Sequence, residues 1–308
     1  MKYVGIQSQV RKNNFNSVIM LVAFPFILLG MVYLFLIFTT PAGYEASSGP
    51  SFAGVAPMVI LGTGIWFAIA WFSHTAIIRQ ATGSKPLERR ENKRVYNLVE
   101  NLCISSGMKP PKIFVIEDDS LNAFASGIND NTYAVSLSRG IINKLDDEEL
   151  EGVIAHELTH IRNRDVRLLI ISVIFVGIFS FLANMAFRGV RFGSFGGRNK
   201  NNTPVILVAI VISGIAYLVS LLLRFGISRS REYMADAGSA EMTRKPYALA
   251  RALRKISGDP LIEAVKSRDV SQMFIENPQL EKKEFSIDRV FATHPPIEQR
   301  IKLLEQFI

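Results

Sequence analysis

The sequence has little cysteine, and it lacks the composition that is typical of disordered proteins. Its 308 residues include one cysteine, Cys103, so no internal disulfide can form and a disulfide-rich scaffold is excluded. Hydrophobic residues make up 49% and charged residues 20%, a balance that excludes intrinsic disorder. Histidine is scarce, with four in the chain. The formal net charge of +8 would suit a nucleic-acid binder, but no nucleic-acid-binding motif accompanies it.

Charged side chains are also missing from four long apolar runs, at about residues 17–38, 55–78, 168–187 and 204–223. A helix that crosses a bilayer core of about 30 Å needs about 20 apolar residues. The runs therefore predict an integral membrane protein with four apolar helices. Because the first run is longer than the apolar part of a cleavable signal peptide, we interpret it as a retained anchor.

The distribution of Lys and Arg predicts how the first two helices are oriented. Lys2, Arg11 and Lys12 precede the first run, residues 39–54 contain no Lys or Arg, and both are frequent in residues 79–94. Basic flanks favour the cytoplasm, so both ends of this hairpin are predicted to be cytoplasmic. The loop 188–203 is basic too, which conflicts with an external location. The sequence leaves open whether the second pair of helices spans the membrane fully, and what this loop does.

Two polar blocks, residues 79–167 and 224–308, follow the second and the fourth apolar run, and the first of them contains signals for a small sheet and for one helix. Short β-branched and aromatic segments at residues 112–117, 122–127 and 132–137 are separated by turn residues and predict strands. Asp146 followed by Glu149 forms a capping box, which predicts a helix that begins near Asp147 and runs past His160. The predicted fold class is therefore an integral membrane protein that is mainly α with a small β-sheet.

Two of the four histidines lie in His156-Glu157-Leu158-Thr159-His160, an H-E-x-x-H pattern on the predicted helix. Because successive helix residues turn by about 100°, His160 lies about 40° from His156, one turn along. Two imidazoles so placed can share one zinc ion, with Glu157 beside them to take a proton from the attacking water. The alternative, that both histidines pack in a core, leaves the spacing unexplained.

A third metal ligand is predicted from outside this helix. The residues after His160 lack the Gly and His of an extended metzincin motif, so that class is excluded. After the fourth apolar run, Glu232 and Asp236 stand four residues apart on one helix face. This pair suits one metal ligand and one carboxylate that orients a ligating histidine. A surface ion pair of Glu232 with Arg229 or Arg231 is the alternative.

Taken together, these motifs resemble those of HtpX-type membrane zinc metalloproteases. H-E-L-T-H-I-R-N-R-D at 156–165 and S-R-x-x-E-Y-x-A-D at 228–236 are the specific motifs, while N-A-F at 122–124 and T-H-P-P at 293–296 are weak alone. The family consists of gluzincins, related to the CAAX prenyl proteases and to mitochondrial Oma-type proteases. The resemblance covers nearly the whole chain, including the four apolar runs.

The resemblance implies a complete site. His156, His160 and Glu232 would bind one Zn²⁺, Glu157 would act as general base and then general acid, and Asp236 would orient a zinc-binding histidine. An edge strand would pair with an extended substrate through Asn122, Ala123 and Phe124. His294 would steady the oxyanion, unless it is a turn residue before Pro295. We interpret Asp165 as a residue that packs or pairs at the helix end.

Four parts of the chain follow from this interpretation. Residues 1–78 would be an N-terminal transmembrane hairpin, 79–167 the first half of a zincin-like catalytic domain, 168–223 a second apolar hairpin, and 224–308 the second half with the third ligand. The resemblance implies a multi-pass protein of the bacterial inner membrane with a cytoplasmic active site. Its partners would be the bilayer and misfolded or damaged membrane proteins, degraded under stress, with no nucleic acid and an unknown oligomeric state.

Two rival functions remain at this point. A CAAX-type prenyl-protein protease would be longer, with about seven spans, and the four runs argue against it. A catalytically inactive membrane scaffold would tolerate loss of the motif, yet no residue of the H-E-x-x-H pattern is missing.

Overall fold

A computed structural model describes residues 6–39, 51–175, 177–178, 211, 214, 229–258, 275 and 295–307. The chain forms two compact units. The first contains Met1–Asn14, Ser73–Ile170 and Ile227–Ile308, and the second contains Phe15–Phe72 and Ile171–Gly226. The first unit therefore collects residues from both polar blocks of the sequence, whereas the predicted four-part division of the chain stays a prediction.

Two long apolar helices coincide with the first two predicted spans. Helix α1 covers Ile6–Thr39, with its first turns in the first unit, and α2 covers Phe52–Thr82. Within them, Val10–Ile37 and Phe52–Thr82 are long and apolar enough to cross a membrane. Of the third predicted span, residues 168–175 and 177–178 are described and helical. The rest of it, nearly all of the fourth span and the loop 188–203 lie outside the described residues.

The first unit contains a four-stranded sheet in the order β1-β2-β4-β3. The strands are β1 at Lys85–Pro86, β2 at Lys112–Ile116, β3 at Ala123–Ser126 and β4 at Ala134–Ser138. Strands β2 and β4 are parallel, and β3 is antiparallel to β4 with Ala123 opposite Leu137. The three predicted strands are confirmed, β1 was not predicted, and β3 ends the sheet on one side.

Six described helices accompany this sheet. They are α3 at Lys93–Ser106, α4 at Arg139–Lys144, α5 at Asp147–Arg162, α6 at Arg229–Thr243, α7 at Pro246–Ile256 and α8 at Ile297–Leu304, which continues into a 3-10 turn at Glu305–Phe307. The predicted start of α5 is confirmed, because the Glu149 amide donates to Asp146 at 2.8 Å and the Asp146 amide to Glu149 at 3.0 Å.

Helix α5 lies unusually close to α6 and α7, because glycine occupies both crossings. A Cβ on Gly152 would lie 3.1 Å from the Leu249 amide nitrogen of α7. A Cβ on Gly238 of α6 would lie 2.3 Å from Cγ2 of Thr159. The Ser239 hydroxyl of α6 donates to the Gly152 carbonyl of α5 at 2.7 Å and so links the two helices. This close crossing brings the side chains of α6 up against the H-E-x-x-H turn of α5.

Candidate metal centre

Three side chains converge where α5 crosses α6. The Nε2 atoms of His156 and His160 face each other at 3.2 Å. Glu232 reaches them from α6, with its two carboxylate oxygens 3.5 Å from His160 Nε2 and 3.6 Å from His156 Nε2. With metal–nitrogen bonds of about 2.0–2.1 Å, two ligands of a tetrahedral ion stand about 3.3 Å apart. The three side chains therefore fit around one small divalent ion, and their donor atoms all lie within 4.8 Å of one another.

Each histidine has a carboxylate on its other ring nitrogen. Asp236 Oδ1 lies 3.0 Å from His156 Nδ1, and Asp165 Oδ2 lies 3.1 Å from His160 Nδ1. A carboxylate there accepts a hydrogen bond from Nδ1–H, which fixes the tautomer and leaves the Nε2 lone pair for a metal. The donor set of two imidazoles and one carboxylate, with both imidazoles so oriented, is typical of metal sites in hydrolytic enzymes. The structure thus brings together four residues predicted from sequence: His156, His160, Glu232 and Asp236.

Burial and charge shift the pKa values of these groups in opposite directions. Burial lowers the pKa of His156, but its hydrogen bonds to Asp236 and Glu232 outweigh burial and raise it from 6.5 to about 9. Burial would raise the pKa of Asp236, yet the Arg300 guanidinium and the bond to His156 hold it below its ordinary value. Burial raises the pKa of Glu157, although the nearby histidines oppose this. Glu157 therefore takes up a proton more readily than an ordinary glutamate.

Sequence reasoning missed Arg300, the cation of this cluster. It is buried, and its Nε and Nη2 donate to the two oxygens of Asp236 at 2.9 and 2.7 Å. Its Nη1 lies 3.5 Å from Glu232 and donates to the Ile275 carbonyl at 3.1 Å. A signal was present, since Arg300 shares the buried face of α8 with Ile301 and Leu304. A buried arginine requires an acidic partner, so its position on that face predicts one.

Of the two roles predicted for Asp165, packing or pairing at the helix end, the structure shows pairing, and the partner is His160. The prediction extended α5 with about 100° per residue through position 165. The helix in fact ends at Arg162, and Arg164 has a φ of 60°, in the left-handed region. The chain turns there, so Asp165 returns to the face that carries His160. Local propensity does not predict such a turn at an arginine.

The predicted substrate-binding residues lie at the β3 end of the sheet that the structure describes. Ala123 and Phe124 belong to β3, Asn122 precedes it, and all three are buried. The Ala123 carbonyl accepts a hydrogen bond of 2.8 Å from the Ile275 amide. His294 lies outside the described residues, so its predicted position at the site stays a prediction.

Comparison with known proteins places this geometry in context. The model of peptidase family M48 matches residues 89–308. A Bacteroides fragilis protein named Protease HtpX homolog is 56% identical over the full length of both chains. A protein of the same name from Listeria monocytogenes is 35% identical over 82% of this chain and 86% of its own. The crystal structure of S. mikatae Ste24p shares 19% identity, covers 96% of this chain and 67% of its own, and gives a TM-score of 0.48.

Proposed function

This chain belongs to peptidase family M48, and from that premise we propose that it is a membrane-bound, zinc-dependent endopeptidase. One observation carries the proposal. Two histidines and a glutamate converge with their donor atoms at the spacing of a tetrahedral ion, beside a buried glutamate whose pKa is raised. This arrangement would hold a metal ion and supplies a base for the hydrolysis of a peptide bond.

In this proposal the ligands are His156, His160 and Glu232, and Asp236 orients His156. When bound there, zinc would polarise the scissile carbonyl and make a water molecule more acidic. Arg300 holds Asp236 in a charge-assisted pair and balances part of the negative charge of the site. Arg300 also lies 3.5 Å from the Glu232 carboxylate, a longer distance than those of its bonds to Asp236.

Glu157 is proposed as general base and then general acid. It follows His156 directly on α5 and is 2% exposed. Because burial raises its pKa, it accepts the proton of the attacking water more readily, and it then delivers that proton to the leaving amine. The oxygen of the water bonds to the carbonyl carbon and the carbon–nitrogen bond breaks. The products are a carboxyl group and an amine, which carries the proton delivered by Glu157.

The substrate backbone is proposed to pair with β3, the last strand on one side of the described sheet. A backbone added to an edge strand gains main-chain hydrogen bonds regardless of its side chains, which suits a protease of broad specificity. At Ala123 the Ile275 amide already occupies the carbonyl, so a substrate must replace that contact. The assignment of His294 to the oxyanion rests on the T-H-P-P motif alone.

Misfolded or damaged membrane proteins are the proposed substrates, and the cytoplasmic side of a bacterial inner membrane is the proposed location. Two helices long and apolar enough to span a bilayer support membrane residence. The excess of Lys and Arg on both outer flanks of the first hairpin supports a cytoplasmic location for those flanks. The matching relatives carry the name Protease HtpX homolog, which supports a protein substrate.

The decisive experiment compares zinc content and casein cleavage for wild type and Glu157→Gln in detergent. We expect wild type to contain one zinc per chain and to lose activity to a chelator. The variant should keep its zinc and lose proteolysis, because the amide cannot take the proton. Glu148→Gln is the matched control, since Glu148 lies on the same helix but pairs with Lys245 and Arg251 at the surface. A Glu157→Gln protein that cleaves casein at the wild-type rate refutes the assignment.

A further inference from the structure

A buried chain of hydrogen bonds leads from the metal centre to the beginning of the first helix. His160 Nδ1 contacts one oxygen of Asp165 at 3.1 Å, and the side-chain amide of Asn13 donates to the other at 2.5 Å. Asn13 also donates to the Asn163 carbonyl at 2.9 Å. Asn13 and Asp165 are 2% and 3% exposed, and both belong to the first unit. Both oxygens of the carboxylate are thus engaged, one by the buried Asn13 and the other by His160, whose side chain is 14% exposed.

The backbone at this point is held in a costly conformation. Arg164 has a φ of 60°, and a residue other than glycine in the left-handed region costs on the order of 1 kcal/mol or more. The Arg164 amide donates to the Ile161 carbonyl at 3.0 Å, and Arg231 of α6 donates to the Asp165 carbonyl at 3.3 Å. Such strain persists where the surroundings impose it. Here it brings the Asp165 carboxylate back to His160.

We propose that Asp165 is the positioning residue of His160 and that Asn13 fixes Asp165, so that the first turns of α1 complete the metal site. This rests on the proposed zinc site. The arrangement parallels the one at His156, where Asp236 contacts Nδ1 and Arg300 holds Asp236. In both cases a carboxylate orients the ligand and a buried donor orients the carboxylate. The donors come from opposite ends of the sequence, from α8 and from α1.

A role in packing alone predicts something different. A carboxylate that only terminated a helix would affect folding and leave the affinity of the folded protein for zinc unchanged. A carboxylate that fixes the tautomer and ring orientation of a ligand changes zinc affinity by about 10- to 100-fold when it is removed. Because Asn13 acts through Asp165, replacing Asn13 should change zinc affinity only in a protein that still contains Asp165. Zinc affinity and its coupling between the two positions therefore separate the two roles.

The test measures zinc affinity of the full chain in detergent by competition with a chromophoric chelator. The variants are Asp165→Ala, Asp165→Asn, Asn13→Ala and the double variant Asn13→Ala/Asp165→Ala. Asn14→Ala is the matched control, because the Asn14 side chain contacts the exposed end of Arg164. The absorption spectrum of each Co²⁺-loaded protein reports the ligand geometry, and thermal unfolding of the metal-free proteins identifies variants that fail to fold.

Asp165→Ala should weaken zinc binding by about 10- to 100-fold, and Asp165→Asn by less, because the amide still accepts a hydrogen bond. Asn13→Ala should weaken it by about 3- to 10-fold, the effect of one hydrogen bond. That loss should vanish in the Asp165→Ala background, while Asn14→Ala stays at the wild-type value. If Asp165→Ala does not fold, the test uses the zinc affinities of Asp165→Asn and Asn13→Ala instead.

Two results would overturn the inference. One is wild-type zinc affinity and a wild-type Co²⁺ spectrum in folded Asp165 and Asn13 variants. The other is an Asn13→Ala loss that persists unchanged without Asp165. Either result leaves the proposed function standing, since wild type would still bind zinc. Failure of wild type to bind zinc would instead refute the proposed function itself.

Discussion

Helices α2 and α5 differ in the side chains that they expose to the surroundings and in those that they bury. Large apolar side chains on α2 point outward, with Phe72 85% exposed and Met58 74% exposed. Polar side chains on α5 point inward, with His156 fully buried and Glu157 2% exposed. Contiguous exposed apolar surface on one helix and buried charge on the other are each unfavourable for an ordinary soluble protein.

The difference indicates that the side chains of each helix suit an environment other than water. The exposed apolar surface of α2 suits hydrocarbon, and a span of 31 residues is long enough to cross it. The buried groups of α5 suit a cation, since two imidazoles and four carboxylates surround its site. A substitution that disrupts one of these environments should therefore have little effect at a matched position on another helix or at the surface.

The largest effect is expected at the buried cation. Arg300→Met should lower the free energy of unfolding by about 3–5 kcal/mol, because Asp236 would be left buried without the guanidinium that it pairs with. Urea unfolding of the zinc-loaded protein in detergent measures it. Arg254→Met is the control, since Arg254 pairs with Glu305 at the exposed surface and should contribute at most about 1 kcal/mol. Equal losses for the two variants would contradict the comparison.

The second-largest effect is expected when a charged residue replaces an exposed apolar residue of α2. Lysine at the middle of a spanning helix costs about 2.5–3.5 kcal/mol of insertion free energy. Leu61 is 65% exposed on α2, so Leu61→Lys should increase the fraction released from membranes by alkaline carbonate. Ile104, 78% exposed on α3, provides the control, and Ile104→Lys should leave extraction unchanged. Membrane retention of Leu61→Lys at the wild-type level would show that this surface of α2 does not face lipid.

The helix crossing at Gly238 should give a smaller loss. A methyl group there would meet Thr159 at 2.3 Å and push α6 away from α5, at a cost of about 1–3 kcal/mol. Gly238→Ala should also weaken zinc binding, because Glu232 moves with α6. The matched control is Gly64→Ala on α2, where the described residues place no atom within 4 Å of the new methyl group. Chelator competition and thermal unfolding would reveal whether the two substitutions differ.

A smaller, graded effect is expected from pH. In the metal-free protein the pKa of His156 is raised to about 9, so zinc must displace a proton at neutral pH. Zinc affinity should therefore rise with pH up to about 9, by up to tenfold, or about 1.4 kcal/mol, per pH unit for one displaced proton. Asp236→Asn removes a cause of the raised pKa and should flatten the rise above pH 7. A flat profile in wild type would contradict the role of His156.

Different parts of the molecule were predictable to different degrees. The α5 start was predictable because its capping box is local, and the first two spans because they require only a long uncharged run. The sheet was predictable as three strands, yet β1 is too short to carry a pattern. The pairing of Asp165 with His160 was missed because the left-handed Arg164 interrupts the helical periodicity on which the interpretation relied.

The sequence by itself determined the chemistry, because His156, Glu157 and His160 lie within one helical turn and local geometry alone keeps them together. Only the tertiary structure decided which residues complete the cluster. Asn13, Glu232 and Arg300 lie far from α5 along the chain, and contacts over such separations depend on how helices cross. Glycine at position 238 permits that crossing, and a buried arginine and asparagine satisfy the carboxylates that it brings together.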